Sequence, residues 1–271
     1  MDTTKGLDAD LYTRITLRIS GNAFSFACSN DTGSQVEYKK YPLSAGISMA
    51  ANLKEAFGNQ ALLRQSYGHV QVMIDSPVML VPLDELREPE LEILYEHAFS
   101  SLKGKVLQTA VLPDLSAIAA YPVAKSWASV VEEHCPNARY MPLMQPVWTF
   151  LHHRSFSGSQ EKLYAYFHDN RIEAFSFGKN RFKFYNAFDY THDLDAVYFL
   201  LYVWKQLGYE STADTLFLCG SVESSDQVVK VLRQYLQQVF VVNPTAEFNR
   251  APITQVAGMP LDMMTLFAKG R

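Results

Sequence analysis

The chain has 271 residues, room for two domains of average size, and its 48 % hydrophobic and 19 % charged content suits a globular protein with substantial cores. A net charge of −4 without a basic run argues against non-specific nucleic-acid binding, which needs clustered Lys and Arg. Three cysteines, Cys28, Cys135 and Cys219, are odd in number and far apart, which argues against a disulfide framework or a zinc site and predicts reduced, buried thiols.

Met1 to Asp10 is polar and has no apolar core, so it does not read as a signal peptide. No run approaches the ~18 consecutive apolar residues of a membrane span. The expected compartment is the cytoplasm, with no direct membrane insertion. From Tyr12 the chain reads as three short strands, Tyr12 to Ser20, Ala23 to Ser29 and Gln35 to Leu43. They are separated by the turn signals Ser20-Gly21-Asn22 and Asn30-Asp31-Thr32-Gly33, which makes an antiparallel meander. A helix follows on Ile47, Ala50, Ala51, Ala56 and Phe57, with Gly58 as its stop. His69 to Asp75 reads as a strand and Val78 to Leu83 as a further extended piece. Pro89 opens a helix carrying Leu91, Leu94, Tyr95, Ala98, Phe99 and Leu102 at helical spacing. Val106 to Val111 and Ser116 to Tyr121 read as strands, and Trp127, Val130, Val131 and His134 as a helix closed by Pro136.

Phe156-Ser157-Gly158-Ser159 reads as a linker, after which the opening pattern returns. Lys162 to Phe167, Arg171 to Phe177 and Arg181 to Phe188 are strands around the turns His168-Asp169-Asn170 and Gly178-Lys179-Asn180. Thr191 is placed to cap a helix from Leu194 to Leu207 that ends at Gly208. Asp214 to Cys219 is a strand. Ser224 with Gln227 suggests a capping box for a helix on Val228, Val231, Leu232, Tyr235, Leu236 and Val239. Phe240 to Val242 is a strand, and Ile253 to Phe267 a final helix kinked or delayed by Pro260. The string Ala-Phe-Ser-Phe occurs at Ala23–Phe26 and again at Ala174–Phe177, each time in the second strand of a meander, which suggests duplication.

By order of elements, nearly the whole chain resembles the actin-like ATPase superfamily. It is similar to the actin-like scaffolds of type IV pilus and type II secretion systems, and most specifically to a bacterial family of uncharacterised proteins with that fold. Tyr140-Met141-Pro142-Leu143-Met144-Gln145-Pro146, before the helix Val147 to His153, matches the first interdomain connection of such proteins. Val242-Asn243-Pro244 with Gln255-Val256-Ala257-Gly258-Met259 resembles the closing segment and returning helix of the pilus scaffolds. The resemblance implies an α/β, two-lobed actin-like ATPase (ribonuclease-H-like) fold of duplicated βββαβαβ units with mixed sheets. Residues 1–157 form the first lobe, and residues 158–271 the second, with a C-terminal helix returning toward the hinge.

The resemblance also implies a nucleotide cleft between the lobes. Each first hairpin would offer an Asp-x-Gly turn to the phosphates and magnesium, and a later Gly-Gly turn would pack on the adenosine. This sequence departs at all three places. Ser20 stands where the first acid belongs, followed by Gly21 and Asn22. Asp169 matches the second acid, but Asn170 replaces its Gly. Gly220 and Ser221 stand where two glycines are usual. These seven residues are the candidate cofactor-binding positions of a vestigial cleft. The plainer alternative makes Gly21 a hairpin glycine, Asp169-Asn170 an ordinary turn pair and Gly220 a tight strand-to-helix turn. Abundant Phe and Tyr near both hairpins suggest a groove filled by bulky side chains. Asp75, ending a strand near Ser76-Pro77, reads as a turn residue that could line the cleft.

No phosphate-binding G-x-x-x-x-G-K-[ST] loop, G-x-S-x-G elbow or H-E-x-x-H helix is present. His152-His153 does not suggest a metal, since adjacent helical histidines diverge and no ligand lies at the right spacing. The expected function is that of a non-catalytic interaction or scaffold protein with an unidentified protein partner and no cofactor. The alternative is a binder of Mg-ATP or a weak Mg-dependent ATPase or kinase-like enzyme, using Asp75 or Asp169. A two-metal nuclease would need an acid on the first strand, and Tyr12 to Ile19 has none.

Overall fold

The structure, a computed structural model, describes residues 12–85, 88–99, 101–155, 158–179 and 181–268. The N-terminal segment, Phe156-Ser157 of the expected linker and Asn180 of the expected turn lie outside them. Two five-stranded sheets repeat one topology. The first comprises β1 (Arg14–Ile19), β2 (Phe24–Ser29), β3 (Val36–Tyr41), β4 (His69–Ile74) and β8 (Ala138–Pro142), in the order β3-β2-β1-β4-β8. The second comprises β9 (Lys162–His168), β10 (Arg171–Gly178), β11 (Arg181–Asp189), β12 (Thr215–Gly220) and β13 (Gln238–Val241), in the order β11-β10-β9-β12-β13. In each, the meander pairs antiparallel and the last two strands join in parallel. Parallel pairing needs crossover helices, and these cover the sheet faces. They are α1 (Met49–Asn59) and α3 (Lys125–His134) in the first half, and α5 (Asp193–Gln206) and α6 (Gln227–Tyr235) in the second.

The duplicated architecture is therefore present, but the Ala-Phe-Ser-Phe string does not mark it. Ser20 and Ala23 flank a two-residue turn in the first hairpin, and His168 and Arg171 flank one in the second. Counted from these turns, Ala23 corresponds to Arg171, three residues before Ala174. An odd shift exchanges the two faces of a strand, so the match reflects a shared liking for small and aromatic residues in buried strands.

One element lies outside the duplicated plan. Between β4 and α3 runs a three-stranded antiparallel sheet of β5 (Met79–Pro82), β6 (Lys105–Leu112) and β7 (Ala117–Ala124), ordered β5-β7-β6, with α2 (Leu91–Ala98) between β5 and β6. Its strands were legible; their separate sheet was not. Tyr140 to Pro142, expected within a connection, instead completes β8, and α4 (Gln145–Ser155) follows. α5 is capped by His192 and Asp195, one residue beyond Thr191. α6 has Asp226 as its N-cap, without the expected Ser224 box. The tail forms a short helix α7 (Pro244–Glu247) and a 3-10 turn at Pro252–Gln255, and α8 (Leu261–Ala268) begins only after Pro260, because proline fits the start of a helix and not its interior.

Both faces of the first two strands of each meander are buried. On β1, Ile15, Leu17 and Ile19 face one way and Thr16 and Arg18 the other, all at most 4 % exposed. Arg18 therefore projects from a covered sheet face, where a charge needs partners. One hydrophobic core fills the first half and continues through Trp148 of α4 and Leu261 and Met263 of α8 to Tyr164, Tyr166, Phe175 and Phe177 on the second sheet. Trp148 meets Phe182 and Tyr185 of β11 edge-on, with centroids 5.4 and 5.1 Å apart. A second core lies under α5 and α6. The three cysteines are free and buried, and no helix among the described residues is long and apolar enough to cross a membrane.

Candidate functional site

In the first hairpin, Ser20 is 1 % exposed and its hydroxyl is spent on its own turn, reaching Asn22 Oδ1 at 3.1 Å and the Ala23 carbonyl at 3.3 Å. Gly21 is exposed, with no atom within 4 Å of where a Cβ would stand. In the second hairpin, Asp169 and Asn170 both have positive φ, 45° and 61°, as a type I′ turn demands. Asn170 thus does what the missing glycine would do for the backbone.

Gly220 ends β12 with φ +90°, and a Cβ there would overlap the Phe167 carbonyl oxygen and lie 2.6 Å from the Tyr166 ring. Its glycine is required by close packing on β9, and the Ser221 N–H then donates to the Phe167 carbonyl at 2.8 Å. The first sheet repeats this bond, from the Asp75 N–H to the Ile19 carbonyl at 2.9 Å. Asp169, Asn170, Gly220 and Ser221 therefore gather at one end of the second sheet, and Ser20, Gly21 and Asn22 at the matching end of the first. Among the described residues no hydrogen bond or ion pair joins the two groups.

What joins the halves is a cluster of charges. Arg18 of β1 places Nη1 2.8 Å from Asp169 Oδ2 and Nε 2.9 Å from Oδ2 of Asp262, at the start of α8. Asp262 is fully buried and also accepts from the Tyr166 hydroxyl at 2.8 Å. His168 lies 3.6 Å from Asp169, an electrostatic contact, and 3.3 Å from Glu173. Arg171 approaches Glu173 at 3.2 Å and Asp75 at 3.9 Å, and the Tyr185 hydroxyl donates to Glu173 at 2.8 Å. The Asp75 carboxyl thus faces Arg171 and His168 across the groove.

The charge states follow. Burial alone would lower the His168 pKa, but Asp169, Glu173 and Asp75 outweigh it and push it up to about 9. The neighbouring His168 and the Arg18 guanidinium hold the Asp169 carboxyl well below the usual range, against its burial. Burial raises the Asp75 pKa, opposed by His168 and Arg171. Three cations thus face four acids in a low-dielectric space, and each side offsets part of the desolvation cost of the other.

Sequence reasoning found Asp169 and noted Asp75, but missed Arg18, Tyr166, His168, Arg171, Glu173 and Asp262. The available signal was an arginine inside an otherwise apolar strand, since a buried charge implies partners elsewhere. Asp75, His168 and Glu173 bring ligand atoms within 4.8 Å of one another, the spacing of a metal site. The donor set fits a cation poorly: His168 is protonated in this setting, and Arg171 already neutralises Glu173.

The chain belongs to the family described as "Protein of unknown function (DUF3822)", which matches residues 2–239. No curated protein matches it. Among solved structures it is similar to a Bacteroides thetaiotaomicron VPI-5482 protein described as having an actin-like ATPase fold and unknown function. Identity is 25 %, coverage is 96 % of each chain and the TM-score is 0.82. It is also similar to the "PilM-PilN type IV pilus biogenesis complex", at 12 % identity over 96 % of this chain and 97 % of that chain, with a TM-score of 0.57. A third likeness, to the cytoplasmic domain of EpsL, an inner-membrane component of the Vibrio cholerae type II secretion system, has 13 % identity over 82 % and 93 % of the chains, with a TM-score of 0.43. The fold is that of the actin-like ATPases, two-lobed with mixed sheets.

Proposed function

We propose that this DUF3822 protein is a non-catalytic interaction or scaffold protein of the cytoplasm, in which the nucleotide cleft of the fold serves as a fixed internal clamp between lobes 1–157 and 158–271. The observation that carries the reading is the 2.8 Å pair of Arg18 and Asp169. The one acid at a phosphate-turn position is engaged by a cation of the opposite lobe, at the place where a magnesium–triphosphate would need it free. Ser20, in place of the other acid, is committed to its own turn. Fold alone does not give function. The PilM–PilN structure, described as a complex, is an instance of this fold engaging another protein, and it supports a protein partner here.

Binding of Mg-ATP, the alternative, draws on the Asp75–His168–Glu173 cluster. It would require Arg171 and protonated His168 to give up carboxylates that now neutralise them. The deciding experiment is a magnesium-dependent ATP hydrolysis assay on purified protein. The expected rate is that of buffer. Turnover abolished by Asp169→Ala would overturn the reading.

A further inference from the structure

Beside the clamp, sharing Tyr185 with it, a groove of about 760 Å³ runs between the inserted sheet and the second lobe. Its two banks are β5 and β11, each the last strand of its sheet and each paired on one side only among the described residues. Strand edges of this kind present unpaired backbone groups that can accept an added strand. Apolar lining comes from Leu83 and Phe99, 41 % and 43 % exposed, and from Phe182 and Phe184.

The charged lining is uneven. Lys179, Arg181 and Lys183 stand against Asp84 alone. Lys183 is held by Glu161 at 3.1 Å, but Lys179 and Arg181 have no acidic partner among the described residues, in a chain whose net charge is −4. Along β11 the exposed Arg181 and Lys183 are interleaved with the half-buried Phe182 and Phe184, around a one-residue register shift against β10 at Lys183. A segment laid beside β11 would interleave its own side chains against this row. Acidic side chains would then meet the cations while apolar ones meet the rings.

We propose that this groove docks an extended segment of a partner protein in which acidic and apolar residues alternate. The inference rests on the reading of the chain as an interaction protein and gives that partner its chemistry. The probe is a fluorescein-labelled octapeptide of alternating Glu and Leu, followed by anisotropy on the full chain without nucleotide. We expect saturable binding that weakens with salt, is lost when Lys replaces Glu in the peptide, and falls about tenfold or more in the Lys179→Glu/Arg181→Glu double variant. Both side chains are exposed, so the variant should melt with the wild type. No binding at millimolar peptide, or binding indifferent to the charge reversal, would overturn the proposal. Either failure leaves the clamp reading intact, because that reading is tested separately, by Mg-ATP binding and turnover.

Discussion

The two first hairpins sit at matching places in sheets of identical strand order, yet they do different work. The turn of the first lobe closes on itself through Ser20, and the space beside its glycine is open. The turn of the second lobe is an anchor. Asp169 is pinned by Arg18 from across the groove, and His168 and Arg171 on either side of the turn bind Glu173 and face Asp75. A duplicated fold repeats backbone geometry; it does not oblige both copies to keep the same chemistry. Here the first lobe supplies a cation from mid-strand and the second supplies the acid from its turn, so the site is asymmetric by construction.

Removing the shared cation should break this comparison most severely. Arg18→Ala leaves Asp169 and the fully buried Asp262 without their counter-ion, and breaking a buried pair from one side costs about 3–5 kcal/mol. Urea denaturation should show that loss, whereas Asn22→Ala in the other hairpin should stay within about 0.5 kcal/mol. Equal effects would mean that the clamp contributes nothing. Next comes Gly220→Ala, which should cost about 2–4 kcal/mol, since the added carbon meets the Phe167 carbonyl and the Tyr166 ring at a positive φ.

The pH dependence comes next, and its sign is set by the anchor hairpin. The folded pKa of His168, about 9, lies above the ~6.5 of an unfolded chain, so its stabilisation is complete below ~6.5 and fades as pH rises through 9. Asp169 is shifted downward, so its contribution holds above ~3.9 and fades as pH falls further. Asp75, raised by burial, adds a cost on ionising that works in the same sense as the loss from His168. Denaturation from pH 5 to 9.5 should therefore show stability declining on the alkaline side, with a slope that His168→Gln flattens. An unchanged slope in the variant would place the titrating group elsewhere. The smallest effect belongs to Gly21→Ala, expected within about 0.5 kcal/mol because the space around it is open.

The parts of this picture legible in sequence were the local ones. Turn residues at Gly21-Asn22 and Asp169-Asn170 marked both hairpins, and apolar spacing marked the crossover helices. Arg18 and Asp262 are 244 residues apart, and Tyr166 and Asp262 are 96 apart. Nothing local in Met-Pro-Leu-Asp-Met announces that its aspartate will reach two strands of different sheets. The same holds for the inserted sheet: Val78 to Leu83 and Ser116 to Tyr121 read as strands, but which neighbours they choose is decided by packing at long range. The repeated Ala-Phe-Ser-Phe pointed to the right duplication without marking equivalent positions, since buried strands share a composition without sharing a register.

The central claim is that the groove between the lobes is closed by the protein's own charges. Thermal unfolding of the wild-type chain with millimolar Mg-ATP, compared with the same nucleotide in EDTA, tests it directly. Any ligand held by the folded form alone must raise the melting temperature. The account predicts superimposable curves. A magnesium-dependent rise would contradict it, and would mean that Arg18 yields Asp169 to a metal-bound phosphate.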